Sequence, residues 1–137
     1  MFFKLKHGKI ESFDLITLHT SGMRFMTDHE ITCKDGKAQI TRYNIRYTDG
    51  EKERVIDKQA VCDTDEIIKL LNDCAVMSWD GFHGKHPRGV KDGTMFRFKA
   101  TVNEKTEIYA DGSQNFPKHY RDFTDGLYLL LNKKEEQ

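Results

Sequence analysis

The sequence predicts an α+β fold: an antiparallel β-meander sheet of six to eight strands with two helices packed on one face. Three observations carry this expectation. Glycines at positions 8, 22, 36 and 50 recur at a spacing of fourteen residues, and Ser21-Gly22, Asp35-Gly36 and Asp49-Gly50 are turn dipeptides. The segments between them are rich in strand formers, and two alternate with period two. The apolar spacing turns helical after Cys62 and again after Phe116.

The elements follow in order. Ile10 to Thr20 opens the sheet. Met23 to Cys33 places Met23, Phe25, Thr27, His29, Ile31 and Cys33 on one face. Ala38 to Tyr47 sets Thr41, Tyr43, Ile45 and Tyr47 against Arg42, Asn44 and Arg46, and Glu51 to Cys62 returns alongside. Arg42, Asn44, Arg46, Arg54 and Lys58 then read as a salt-bridged sheet face, with a polar recognition face on the open side of the sheet as the sharper alternative.

Asp63-Thr64-Asp65-Glu66 is close to a capping box. Ile67, Ile68, Leu70, Leu71, Cys74 and Ala75 follow at helical spacing and predict a helix over about 64 to 75, its acidic first turn suiting the positive end of the helix dipole. Residues 76 to 93, with four glycines, a proline and the single Trp, predict a long irregular loop. Met95, Arg97, Lys99 and Thr101 then oppose Phe96, Phe98, Ala100 and Val102, and a turn at 103–105 leads to a strand over Thr106 to Ala110. Asp111 to Asn115 is expected as a loop. The second helix is expected from Phe116-Pro117, with Pro at the first helical position and Tyr120, Phe123, Leu127, Leu130 and Leu131 on one face. Gly126 interrupts that helix, which points to a close approach by another backbone. A curved sheet clasping the helices is the expected form.

Charge and length bound the function. The chain has 137 residues, with 22 basic against 22 acidic side chains. One domain of residues 1–137 fits that length. A net charge of zero argues against bulk nucleic-acid binding, which needs cations to displace counterions from phosphates. No apolar run is long enough to span a membrane. Lys4, Lys6 and Lys9 interrupt the N-terminal apolar residues, so no secretory signal is read there. Cys33, Cys62 and Cys74 are odd in number and widely spaced, as in a cytoplasmic protein with reduced thiols. No Cys-x-x-Cys pair suggests a metal, and no cofactor motif is present.

Trp79-Asp80-Gly81-Phe82, Asp92-Gly93-Thr94-Met95-Phe96 and Gly112-Ser113-Gln114-Asn115-Phe116-Pro117 resemble the pattern of a family of small bacterial proteins of uncharacterised activity. The resemblance covers roughly the C-terminal half. It implies a bacterial source and a single domain, and it carries over no catalytic residue.

The glycine-rich stretch over 79–91 holds the candidate ligand-binding residues Trp79, Asp80, His83, Lys85, His86 and Arg88. From 83 to 99, five basic residues (Lys85, Arg88, Lys91, Arg97, Lys99) face one acidic residue, Asp92, a local charge of +4. Exposed amides beside such cations can hold an anion. His83 and His86 have H-x-x-H spacing, but Gly84 and Pro87 oppose the helix that would aim both rings at one metal. Asp35, Asp49, Asp92 and Asp111 each precede Gly, which turn chemistry explains. Three functions follow. The first is a binding or interaction module presenting loop 79–91 to a protein or a small anionic ligand. The second is a small enzyme with His83 or His86 as general base or metal ligand and Lys85 and Arg88 stabilising anionic charge. The third is a homo-oligomer built through an exposed strand or helix face.

Overall fold

The computed structural model describes residues 8–91 and 93–133. The element order is β1 (Phe13–Ser21), β2 (Met26–Lys34), β3 (Lys37–Thr48), β4 (Glu51–Asp63), α1 (Thr64–Asp73), β5 (Phe82–Gly84), β6 (Met95–Val102), β7 (Thr106–Ser113) and α2 (Tyr120–Leu131). The seven strands form one open sheet in the order β4-β3-β2-β1-β6-β7-β5. Every pair is antiparallel except β5 with β7. No helix among the described residues is long and apolar enough to cross a membrane. Residues 1–7, Asp92 and residues 134–137 lie outside the described residues, and with them the signal-peptide reading and part of the Asp92-Gly93 turn.

Turn chemistry positions the first four strands. Asp35 and Gly36 have φ of 52° and 77°, and Asp49 and Gly50 have 53° and 82°, the pairing of positive angles that closes a two-residue hairpin. The Ser21-Gly22 connection is wider than expected. It spans residues 22–25, closed by the Gly22 amide on the Phe25 carbonyl at 2.9 Å, so Met23 and Phe25 are exposed loop residues and not part of β2. Strand β1 begins at Phe13, later than expected, because the Ile10 backbone is taken by the Asn72 side chain of α1, with both hydrogen bonds at 2.9 Å.

One core joins strands to helices. Ile16, Leu18, Ile31, Ile40, Phe98, Ala100 and Ile108 pack in a single cluster with Ile67 and Leu71 of α1 and Phe123, Leu127 and Leu131 of α2. The burial alternation of β6 follows the sequence pattern, with Phe96, Phe98, Ala100 and Val102 inside. What approaches Gly126 is a side chain and not the expected backbone: a Cβ there would stand 2.5 Å from Leu70 Cδ1 of α1.

Four local expectations are corrected. The irregular stretch 76–93 contains a 3₁₀ turn over Val76–Trp79 and the short strand β5. Asp111-Gly112 is no turn, since β7 continues to Ser113. Helix α2 starts at Tyr120, after His119 adopts a left-handed conformation that the preceding backbone does not continue into a helix. Asp63 precedes α1 without a capping hydrogen bond, its carboxylate pairing with Lys37 at 2.6 Å, while the Thr64 amide bonds the Gly36 carbonyl at 3.1 Å.

Candidate functional site: a basic groove on the sheet

The register that buries one pleat face sets the chemistry of the other. Ile16 and Leu18 of β1 lie opposite Ile31 and His29 of β2 and opposite Ala100 and Phe98 of β6. Successive side chains alternate across a sheet, so Thr17 and His19 meet Glu30 and Asp28 on one side and Lys99 and Arg97 on the other. Across β6 and β7, Lys99 faces Tyr109, Arg97 faces Asp111 and Met95 faces Ser113. Strand β5 adds His83 beside Asp111.

Side chains from five strands converge on this face. Thr17, His19, Asp28, Lys52, Arg54, Arg97, Lys99 and Tyr109, together with Leu18 and His29 of the opposite pleat, line a hollow of about 340 Å³. On a flat sheet, β4 and β6 would stand roughly 19 Å apart at four strand spacings. Lys52 and Arg54 of β4 share the hollow with Arg97 and Lys99 of β6, so the face is concave. Two bulges accompany the curvature. One inserts Asp14 in β1 and the other inserts Asp57 in β4, and such insertions increase local bend and twist. Asp57 uses its position to take Arg42 at 2.7 Å.

A polar network holds the groove's floor. Arg54 lies 3.8 Å above the Tyr43 ring centroid and reaches Asp28 Oδ2 at 3.1 Å. The other Asp28 oxygen accepts from His19 Nδ1 at 2.5 Å. At the far side, Asp111 accepts from His83 Nδ1 at 2.9 Å and from the Tyr109 hydroxyl at 3.1 Å. The His83 bond is the main cause holding the Asp111 carboxyl below its ordinary range. Desolvation, reinforced by Asp111, pushes the Tyr109 phenol up. Among the described residues, Lys52, Arg97 and Lys99 form no ion pair. Four cations against Asp28 leave the hollow with a formal charge of +3.

A second hollow, of about 310 Å³, shares Arg97 and Tyr109 and adds Asp111 and Ser113. His86 bonds the lining Ser113 and bridges loop and strand. Its Nε2 lies 2.5 Å from the Val90 carbonyl and its Nδ1 2.8 Å from Ser113 Oγ.

The residues singled out from the sequence are dispersed. Trp79 is 1% exposed, edge-on to Phe98 and Phe123 at 5.0 and 5.5 Å, with Nε1 donating to the Lys118 carbonyl at 3.0 Å. It is a core residue, so it offers no surface anchor. Asp80 accepts the Tyr109 amide at 2.9 Å and ties the loop to β7. Lys85 and Arg88 are exposed and line neither hollow. His83 and His86 have separate partners, and no group of three His, Cys, Asp or Glu among the described residues is arranged to hold a metal ion. Arg42 and Lys58 share the pleat face of Ile40 and Ala60, so they do not belong to the groove.

Lys52, His19, Tyr109, Asp111 and Ser113 were missed. Their signal was the register: once β1 pairs with β6, the alternation of β6 brings Arg97 and Lys99 beside His19. The chain matches no protein-family model, no curated protein and no solved structure.

Proposed function

We propose that this protein is a binding module for small anionic ligands, held in the groove on the sheet face turned away from both helices. The observation that supports it is the set of three cations, Lys52, Arg97 and Lys99, around one hollow with no ion-pair partner among the described residues. Gathering like charges in a concavity raises local anion concentration and costs folding energy through self-repulsion, which a ligand relieves. The volume suits a phosphate or carboxylate on a small organic body, with the Tyr109 ring available for its apolar part. The meander, with its bulges, curves β4 over β1 and so makes the groove. In this reading the protein is bacterial and works in the cytoplasm, where its three thiols stay reduced; burial raises the pKa of each.

Loop 79–91 acts here as a support: Trp79 anchors it and β5 delivers His83. Calorimetric titration with inorganic phosphate and citrate tests the proposal. Wild-type protein binds, and Arg97→Ala weakens binding by about tenfold or more, the worth of one charge-assisted hydrogen bond. Equal affinity in the two proteins would remove the groove as the site.

A further inference from the structure

We infer that Ser113 is an activated nucleophile, and that the groove presents small anionic esters to it for acyl transfer. The inference rests on the anion-binding reading and assigns it a chemistry.

The tautomer of His86 carries the argument. A backbone carbonyl only accepts, so the 2.5 Å contact with Val90 requires the hydrogen on Nε2. In the neutral ring Nδ1 is then an obligate acceptor, and its partner at 2.8 Å is the Ser113 hydroxyl. The hydroxyl donates to a base whose orientation is fixed by a third group, the arrangement that activates a serine. Ser113 is half-buried on β7, two residues from Asp111 and on the same pleat face. Arg97 lines the same hollow as Ser113 with no ion pair among the described residues, and so offers a cation to an acyl oxygen that gains negative charge there.

The step balances with water as the only co-reactant. Ser113 Oγ attacks the ester carbonyl carbon as its proton passes to His86 Nδ1. Collapse breaks the carbon–oxygen bond to the leaving alcohol, which takes that proton. Water then attacks the acyl-serine with His86 as base, releasing the acid and restoring Ser113.

The experiment incubates the full chain with para-nitrophenyl acetate and with 3-acetoxy-4-nitrobenzoate, an anionic ester of the same acyl group, following nitrophenolate release and the acylated peptide by mass spectrometry. The expected result is a burst with one acyl group on Ser113, faster for the anionic ester. Ser113→Ala abolishes that adduct. His86→Gln slows the burst by about 10²-fold, with circular dichroism unchanged in both variants. Labelling of lysines only, no labelling with either ester, or a wild-type rate in His86→Gln overturns the inference. Acylation of Ser113 at equal rates by both esters supports the nucleophile and overturns the anion-binding reading, so the two fail separately.

Discussion

Asp111 stands directly across the β6–β7 ladder from Arg97, yet its carboxylate is held by His83 at 2.9 Å and by the Tyr109 hydroxyl at 3.1 Å. The nearest acid in register is thereby occupied by two other donors. Among the described residues Arg97 has no ion-pair partner, and an unpaired guanidinium is what an anion site needs.

Asp111→Asn therefore raises anion affinity. The substitution removes a negative charge from the second hollow and frees His83, and phosphate binding tightens a few-fold, read by calorimetry at low salt. Folding stability changes little, because the pair is exposed and solvent screens it. Its small pH contribution has a defined sign. The folded-state carboxyl titrates below its unfolded value, so the stabilisation is present above that unfolded value and fades as pH falls through the folded one. Weaker phosphate binding in Asp111→Asn would contradict this role.

His29 makes stability fall on acidification. Burial, reinforced by Arg42, lowers its pKa to about 4 from an ordinary 6.5. Its Nδ1 is buried without a hydrogen-bond partner among the described residues. Between these values the unfolded chain binds a proton that the native ring does not, so stability is fully present above 6.5 and drops as pH approaches 4. The loss amounts to about 3 kcal/mol by linkage. Urea unfolding at neutral and acid pH, compared with His29→Phe, reads it: the variant has a flatter profile. Identical profiles would show that His29 is not the group responsible.

Trp79→Phe destabilises the fold by about 2–3 kcal/mol, from the void left by the smaller ring and the unpaired Lys118 carbonyl. Chemical denaturation measures it. In the wild type, phosphate leaves Trp79 emission unshifted, because the indole sits in the core away from the groove. A ligand-dependent shift would instead place the site at loop 79–91.

Gly112→Ala damages the fold and the groove together. A Cβ there would collide with the Asn115 carbonyl oxygen and stand 2.7 Å from Phe96 Cε1. The backbone oxygen cannot move aside as a flexible side chain can, and a cost of about 2 kcal/mol or more follows. A melting temperature equal to wild type would show that the Asn115 segment relaxes freely.

The same glycine explains what the sequence concealed. Asp111-Gly112 looks like the Asp-Gly turns at 35–36 and 49–50, but only the latter two have positive φ angles at both residues. Gly112 is required by the packing of Asn115 and Phe96, one residue before the end of β7. Mistaking it for a turn ended β7 too early and hid Asp111 and Ser113 from the site. The three residues of β5 are too few to show a period, so its parallel return beside β7 was unreadable. By contrast, Phe96 to Val102 alternate without interruption, and both burial and the outward direction of Arg97 and Lys99 were legible there. The basic excess over 83–99 was real, but register divides it: Arg97 and Lys99 enter the groove while Lys85 and Arg88 remain on an exposed loop. Lys52 and Arg54 come from a strand four places away, and only the bend of the sheet makes them neighbours.

The most direct test of the groove is a nitrogen–proton NMR titration of the full chain with inorganic phosphate. The account predicts saturable shifts at the Arg97 side chain and at the amides of Thr17, His19, Lys99 and Tyr109, with Lys85 and Arg88 unmoved. Shifts confined to residues 85–91, or no saturable shift on the open face of the sheet, would contradict it.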